Sequence, residues 1–181
     1  MENQGPILNL ADAPTHSDGD GDHFAYRMSE LSEPLGGRAI GANVTRVPAG
    51  KAAFPLHHHR ANEEHFYVLS GQGMLRVGDG TYPVKANDYV VILPGDAALA
   101  HQFVNTGDED LVYLAISTRV LPEVVGYPDS GKTGVRVAAI HEPGARFLVR
   151  DAAQSGVGYF DGEDGHAIDE IVRKARQDGG R

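Results

Sequence analysis

An all-β sandwich or barrel is the fold class this sequence predicts, and three observations predict it. Gly and Pro are abundant, 23 and 10 of 181 residues, which favours frequent turns over long helices. Short β-prone runs recur between turn signals from residue 38 to residue 118. Few stretches between those runs repeat apolar residues at helical spacing.

Taken in order, residues 1–35 read as an N-terminal arm, partly disordered. Within it 12–22 is rich in Asp, Gly, Pro and Ser and reads as a loop. Asp18, Asp20 and Asp22 alternate as in a calcium loop, but His23 stands where such a loop needs Gly and Ser29 where it needs Glu. A solvated acidic loop is the expectation there. The barrel is expected over 36–120. Its first strand, 39–47, alternates, and the next, 64–69, stops at Gly71 and Gly73. Strands 74–77 and 81–84 flank Gly78-Asp79-Gly80, a hairpin signal. Strand 88–93 is nearly all apolar and ends at Pro94-Gly95; 101–105 and 111–117 are separated by Thr106-Gly107-Asp108.

Residues 121–181 read as a C-terminal extension. It comprises a long loop over 122–134, candidate edge strands at 135–140 and 146–149, and a short helix over 164–176. Ile168, Ile171, Val172 and Ala175 supply the helix with an apolar stripe. Its acidic residues lie near the start and Arg173, Lys174 and Arg176 near the end, which suits the helix dipole.

Composition excludes several function classes. A net charge of −9 disfavours nucleic acid and anionic membrane surfaces as partners of the whole chain. Without cysteine there is no disulfide frame, zinc finger or thiol catalysis. No apolar run approaches a membrane span and no signal-peptide pattern opens the chain, so a cytoplasmic protein is expected. Gly126, Gly131, Lys132 and Thr133 match the phosphate-binding loop pattern. That loop needs a buried strand before it and a helix after it, whereas Pro122 and Pro128 precede and a β-branched run follows; a plain turn is expected.

Function begins with histidine. Five of nine His fall between His57 and His101. On a strand, His57 and His59 share one face and His58 takes the other. Glu64 opens the next strand after an interval long enough for a tight turn, and His101 opens a later one. Three neutral imidazoles and a carboxylate suit one divalent transition metal: Fe, Mn, Ni, Co, Cu or Zn. Three consecutive His also fit a surface patch, and His101 a satisfied core residue.

The same stretch resembles the cupin superfamily of conserved β-barrels. The first cupin motif has Gly, His-x-His, Glu and Gly; here Gly50, His57-His58-His59, Glu64 and Gly71 stand in that order. The second has Gly, Pro-x-Gly, His and Asn; here Pro94-Gly95 precedes His101 and Asn105. Gly50 is one residue early, Asn87 replaces a Gly, and the interval from Pro-Gly to His is longer than usual. Asn also enters the left-handed region, so position 87 tolerates the change. The stretch 126–132 further resembles small bacterial cupins of unassigned reaction. The resemblance implies a double-stranded β-helix, or jelly roll, with His57, His59, Glu64 and His101 binding one metal inside it. Glu63 is the rival carboxylate; the spacing to Gly71 favours Glu64. If Glu64 points inward, so do Phe66 and Val68, while His65 and Tyr67 face out.

A small metal-dependent enzyme acting on a small molecule is the leading expectation, either dioxygenase-like or a sugar or sugar-phosphate isomerase. Basic residues near the motifs are sparse and no spare carboxylate is clearly inward, which leans toward oxygen chemistry. A non-catalytic small-molecule binding or sensor protein is the alternative, and a barrel whose metal only stabilises the fold a third. The resemblance also implies a homodimer. Metal affinity should fall as pH drops through the His range near ~6.5.

Overall fold

The computed structural model describes residues 5–138 and 145–150. Six antiparallel strands form the largest sheet: β1 (Thr15–Gly19), β2 (Ala25–Glu30), β3 (Ile40–Val47), β10 (Leu111–Thr118), β5 (Glu64–Ser70) and β8 (Tyr89–Ile92), in that spatial order. A three-stranded sheet runs β7 (Gly80–Lys85), β6 (Gln72–Val77), β9 (His101–Val104). A four-stranded sheet runs β13 (Arg146–Arg150), β12 (Lys132–Arg136), β11 (Glu123–Tyr127), β4 (His58–His59). His57 and His101 exchange backbone hydrogen bonds of 3.2 and 2.8 Å, and this bridge ties the last two sheets together. The result is the double-stranded β-helix that the motifs imply.

Alternation builds the interior. Phe66 and Val68 on β5 are buried while Tyr67 and Leu69 are exposed, so the period-two reading of this strand holds. They pack with Val47, Leu75, Val84, Ile92, Phe103, Leu111 and Tyr113. Phe66, Phe103 and Tyr113 stack in the middle, with ring centroids 4.7–5.8 Å apart. Asn105 is fully buried; its amide donates to the Val47 and Glu109 carbonyls and its Oδ1 accepts from the Gly107 N–H. That explains an Asn at this motif position: it clamps the turn into β10 onto β3. Asn87 has φ +75°, the left-handed conformation expected where the motif has Gly.

Two expectations are corrected. Residues 12–22 are not a structureless loop: β1 lies within them and pairs with β2 in register, every residue exposed. An edge strand with two polar faces has no alternation to read. Asp20 Oδ1 accepts the N–H of Asp22, His23 and Phe24, each at 2.9 Å, and forms the hairpin turn. The long loop over 122–134 is likewise a hairpin, β11 to β12. Pro122 precedes β11 and Pro128 sits in the 3₁₀ turn, so neither interrupts the ladder. Lys132 therefore opens a strand and not a helix, and the phosphate-loop pattern is a turn. The candidate strand at 135–140 begins earlier, at Lys132, and that at 146–149 is the edge strand β13. The helix expected over 164–176 lies outside the described residues. Among the described residues no helix is long and apolar enough to cross a membrane.

Candidate metal centre

Three elements converge on the site. β4 and the residue before it carry His57 and His59, β5 begins with Glu64, and β9 begins with His101. His57, His59 and Glu64 offer ligand atoms that all lie within 4.8 Å of one another. His101 joins through Nε2, 2.9 Å from Glu64 Oε2; His59 Nε2 lies 3.3 Å from the same oxygen. The rival is elsewhere: Glu63 faces outward, 2.6 Å from His65 Nε2. His58 is turned away from the cluster and buried, its Nδ1 3.0 Å from the Gly95 carbonyl oxygen.

The surroundings set protonation. The His57 Nδ1–H donates to the Pro55 carbonyl at 2.8 Å, which leaves Nε2 with its lone pair free. Burial, reinforced by the His101 charge, drives the His57 pKa down to about 3, so it is a neutral donor at physiological pH. Burial pushes the Glu64 carboxyl up, but the His101 imidazole close against it and the neighbouring imidazoles outweigh it and hold the group at about 2. Burial also lowers His59, yet Glu123 and Glu64 bring it above its ordinary value.

This donor set fits a divalent cation. Glu64 Oε2 is buried and makes no well-directed hydrogen bond, although two imidazole nitrogens face it. A buried carboxylate oxygen without a directed donor is costly. An ion at that position would satisfy it together with the imidazole lone pairs. Nitrogen and oxygen donors of this kind suit first-row divalent metals.

A cavity of about 270 Å³ opens over the four side chains. Phe54, Phe66 and Phe103 supply its apolar wall, and Asn43, Gln102 and Arg136 its polar groups. A recess of about 140 Å³ also touches His57 and His59 and is walled by Tyr127, Arg136 and Arg146.

Sequence reasoning did not find the support behind His59. Glu123 is fully buried; it accepts the N–H groups of Arg60 and Ala61 at 2.9 and 3.2 Å, and the Asn62 amide. Its Oε2 lies 3.6 Å from His59 Nδ1. Burial pushes its carboxyl up, but the His59 imidazole beside it, with the Asn62 and Ala61 amides, outweighs that cost and holds it at about 2. Cross-strand register places it there: Val125 faces His59 and Gly126 faces His58, so Glu123 falls beside the turn after β4. Gly126 is required by this approach, since a Cβ would sit 2.1 Å from His58 Nε2. The signal was faint, a single Glu before two Val in a stretch that read as loop.

Residues 43–117 match the model of the Cupin domain. A solved structure from Acidithiobacillus ferrooxidans, described as a "putative sugar phosphate isomerase", is 33% identical, with a TM-score of 0.62 over 73% of this chain and 81% of that one. The chain is a cupin. A sugar phosphate isomerase of the cupin superfamily from Silicibacter pomeroyi shares the fold at 22% identity, with a TM-score of 0.71 over 85% of this chain and 98% of that one. The oxalate-binding protein of Thermotoga maritima is 32% identical over 71 residues, 39% of this cupin. The chain spans about half the length of the curated relatives it matches, 55% and 54%.

Proposed function

We propose that this cupin holds one divalent transition metal through His57, His59, Glu64 and His101 and acts as a small-molecule enzyme, isomerase-like before dioxygenase-like. The observation that carries this is the undirected, buried Glu64 oxygen at the floor of a cavity large enough for a small metabolite. When bound, the metal would act as a Lewis acid on a substrate oxygen. The chain's own residues do the rest. Pro55 fixes the His57 tautomer, Glu123 orients His59, and the Phe54 and Phe103 rings keep water from one wall. Tyr113 lines the cavity, and burial keeps its hydroxyl protonated.

The lean toward oxygen chemistry has two grounds, sparse cations near the motifs and no spare inward carboxylate; the second stands, since Glu64 is the one carboxylate among the described residues lining the cavity. Arg136, from the hairpin beyond them, lies on the cavity wall. With Asn43 and Gln102 it suits a hydroxylated, polar substrate, and the 33%-identical relative supports the same direction. One observation favours the non-catalytic alternative: among the described residues lining the cavity, no carboxylate besides Glu64 is available as a general base.

Metal analysis of protein purified without an affinity tag, alongside Glu64→Gln and His101→Ala, tests the site. Near-stoichiometric metal in the parent and its loss from both folded variants is the expected result; equal metal content in all three would sink the proposal. The loaded protein is then offered aldoses, ketoses and their phosphates, with oxygen uptake followed in parallel after anaerobic Fe(II) loading. Interconversion without oxygen use supports the isomerase reading. Oxygen use overturns it, and a ligand that raises the melting temperature unconsumed favours the sensor reading. A homodimer belongs to the same proposal, supported by the apolar outer face of β5 and β8.

A further inference from the structure

The hairpin β11–β12 and its edge strand β13 form a ribbon whose charge is at odds with the chain. Glu123, Arg136 and Arg146 are paired in one cross-strand row, and Tyr127, Lys132 and Arg150 in another. Directly opposite residues share a face, so Lys132, Arg136, Arg146 and Arg150 all lie on the face that carries Glu123. On a chain of net charge −9 that is a concentration of cations. Opposed like charges on neighbouring strands destabilise a sheet, and nothing visible in the row neutralises them, because Glu123 is committed to Asn62 and the turn after β4.

Two of these cations reach the site. Arg136 lines both the main cavity and the recess. Arg146 lines the recess, and its Nη2 donates to the Tyr127 hydroxyl at 2.8 Å. Tyr127 in turn stacks on His57, centroids 6.2 Å apart, so the Arg146 side chain is tied to the ligand cluster. Among the described residues no carboxylate lies within 4.0 Å of either guanidinium. Arg76, by contrast, is paired with Asp129, and Arg119 with Glu33.

We infer that Arg136 and Arg146 form an oxyanion seat at the cavity mouth, so that the substrate carries a phosphate or carboxylate group and presents its other end to His57, His59, Glu64 and His101. Two guanidinium forks match the planar oxygen pairs of either anion and bind them bidentately. A single Lys would supply charge without that geometry. The seat lies outside the residues matched by the family model, on a hairpin added after them. The inference rests on the proposed function, in that it assumes the cavity receives a small molecule.

Isothermal titration of the full chain with inorganic phosphate, and separately with malonate, tests it. Both titrations are run at low ionic strength on metal-free protein, and repeated after metal loading. The tighter of the two names the anion. Arg136→Gln and Arg146→Gln should each weaken binding at least ~10-fold, about 1.4 kcal/mol, with divalent-metal affinity nearly unchanged. Arg136→Lys should fall between, since it keeps charge and loses the fork. Lys85→Gln, on β7, should bind like the parent. If a substituted chain fails to fold by circular dichroism, the exposed Arg146→Gln and the charge-conserving Arg136→Lys carry the test. Equal affinity in parent and Arg variants, or no binding of either anion by the parent, overturns the inference. Arg-dependent anion binding by protein that takes up no metal would overturn the metal proposal and leave the seat standing.

Discussion

Glu123 shows how much of the proposed metal site hangs on a residue outside its four ligands. Its carboxylate backs His59 Nδ1 while two main-chain amides and Asn62 fix it in place. Outer partners of this kind orient a metal-binding imidazole and raise its basicity. Glu123→Gln keeps the shape and removes the charge. We expect the divalent-metal affinity to fall by about 10–100-fold, read by competition with a chromogenic chelator, while the barrel keeps its circular dichroism. Undiminished affinity would reduce Glu123 to a packing role. Far from the centre, Asp20 supplies the pH-dependent case. The Phe24 and His23 amide hydrogen bonds, with the Asp22 amide, hold its carboxyl below the usual 3.8. A depressed carboxylate stabilises the fold above its unfolded pKa, and that contribution is lost as pH falls through the folded value. The Phe24 amide shift should therefore titrate below pH 3.8, and Asp20→Asn should abolish that titration while keeping the turn. A midpoint at or above that value would mean the turn exerts no pull on the carboxyl.

At the scale of elements, legibility followed locality. Glu64 was separable from Glu63 by the spacing to Gly71, a signal that acts over a few residues. Asn87 was legible for the same reason, as a left-handed position that tolerates Asn. The β11–β12 hairpin was not, because what makes it sheet is pairing with β4, more than sixty residues back, and no local period reports such a partner. Its prolines, read as breakers, lie at the strand entry and in the turn. That hairpin brings Glu123, Tyr127, Arg136 and, through β13, Arg146, so the missed element carries the missed side chains. Its seat on β4 depends on Gly126. An Ala there places a Cβ 2.1 Å from the His58 Nε2, and His58 is buried and anchored to Gly95. Gly126→Ala should cost about 1–3 kcal/mol in chemical denaturation, as overpacking does. In a His58→Ala background the obstacle is gone and the cost should largely vanish, a non-additive cycle. Additive losses would show that the two strands do not meet as closely as the register requires.

For the molecule as a whole, the outer face of β5 and β8 bears on the proposed homodimer. Tyr67 pairs with Tyr89 and His65 with Val91 across the two strands, and all four side chains point away from the core. Tyr89 is 60% exposed, Val91 45% and Leu69 42%. Among the described residues β8 is also the edge of the six-stranded sheet, with no strand paired on its other side. An apolar face beside an open edge is a surface that self-association would cover. Charge works the other way, because each chain carries −9 and two copies repel. The two effects separate by salt. Screening weakens the repulsion and leaves apolar burial intact or stronger. In sedimentation equilibrium the dimer should therefore tighten as salt rises, and Tyr89→Arg with Leu69→Arg should leave a folded monomer at all salt concentrations. An association that loosened with salt would point to ion pairing instead, and a double variant that still dimerised would move the interface off this sheet.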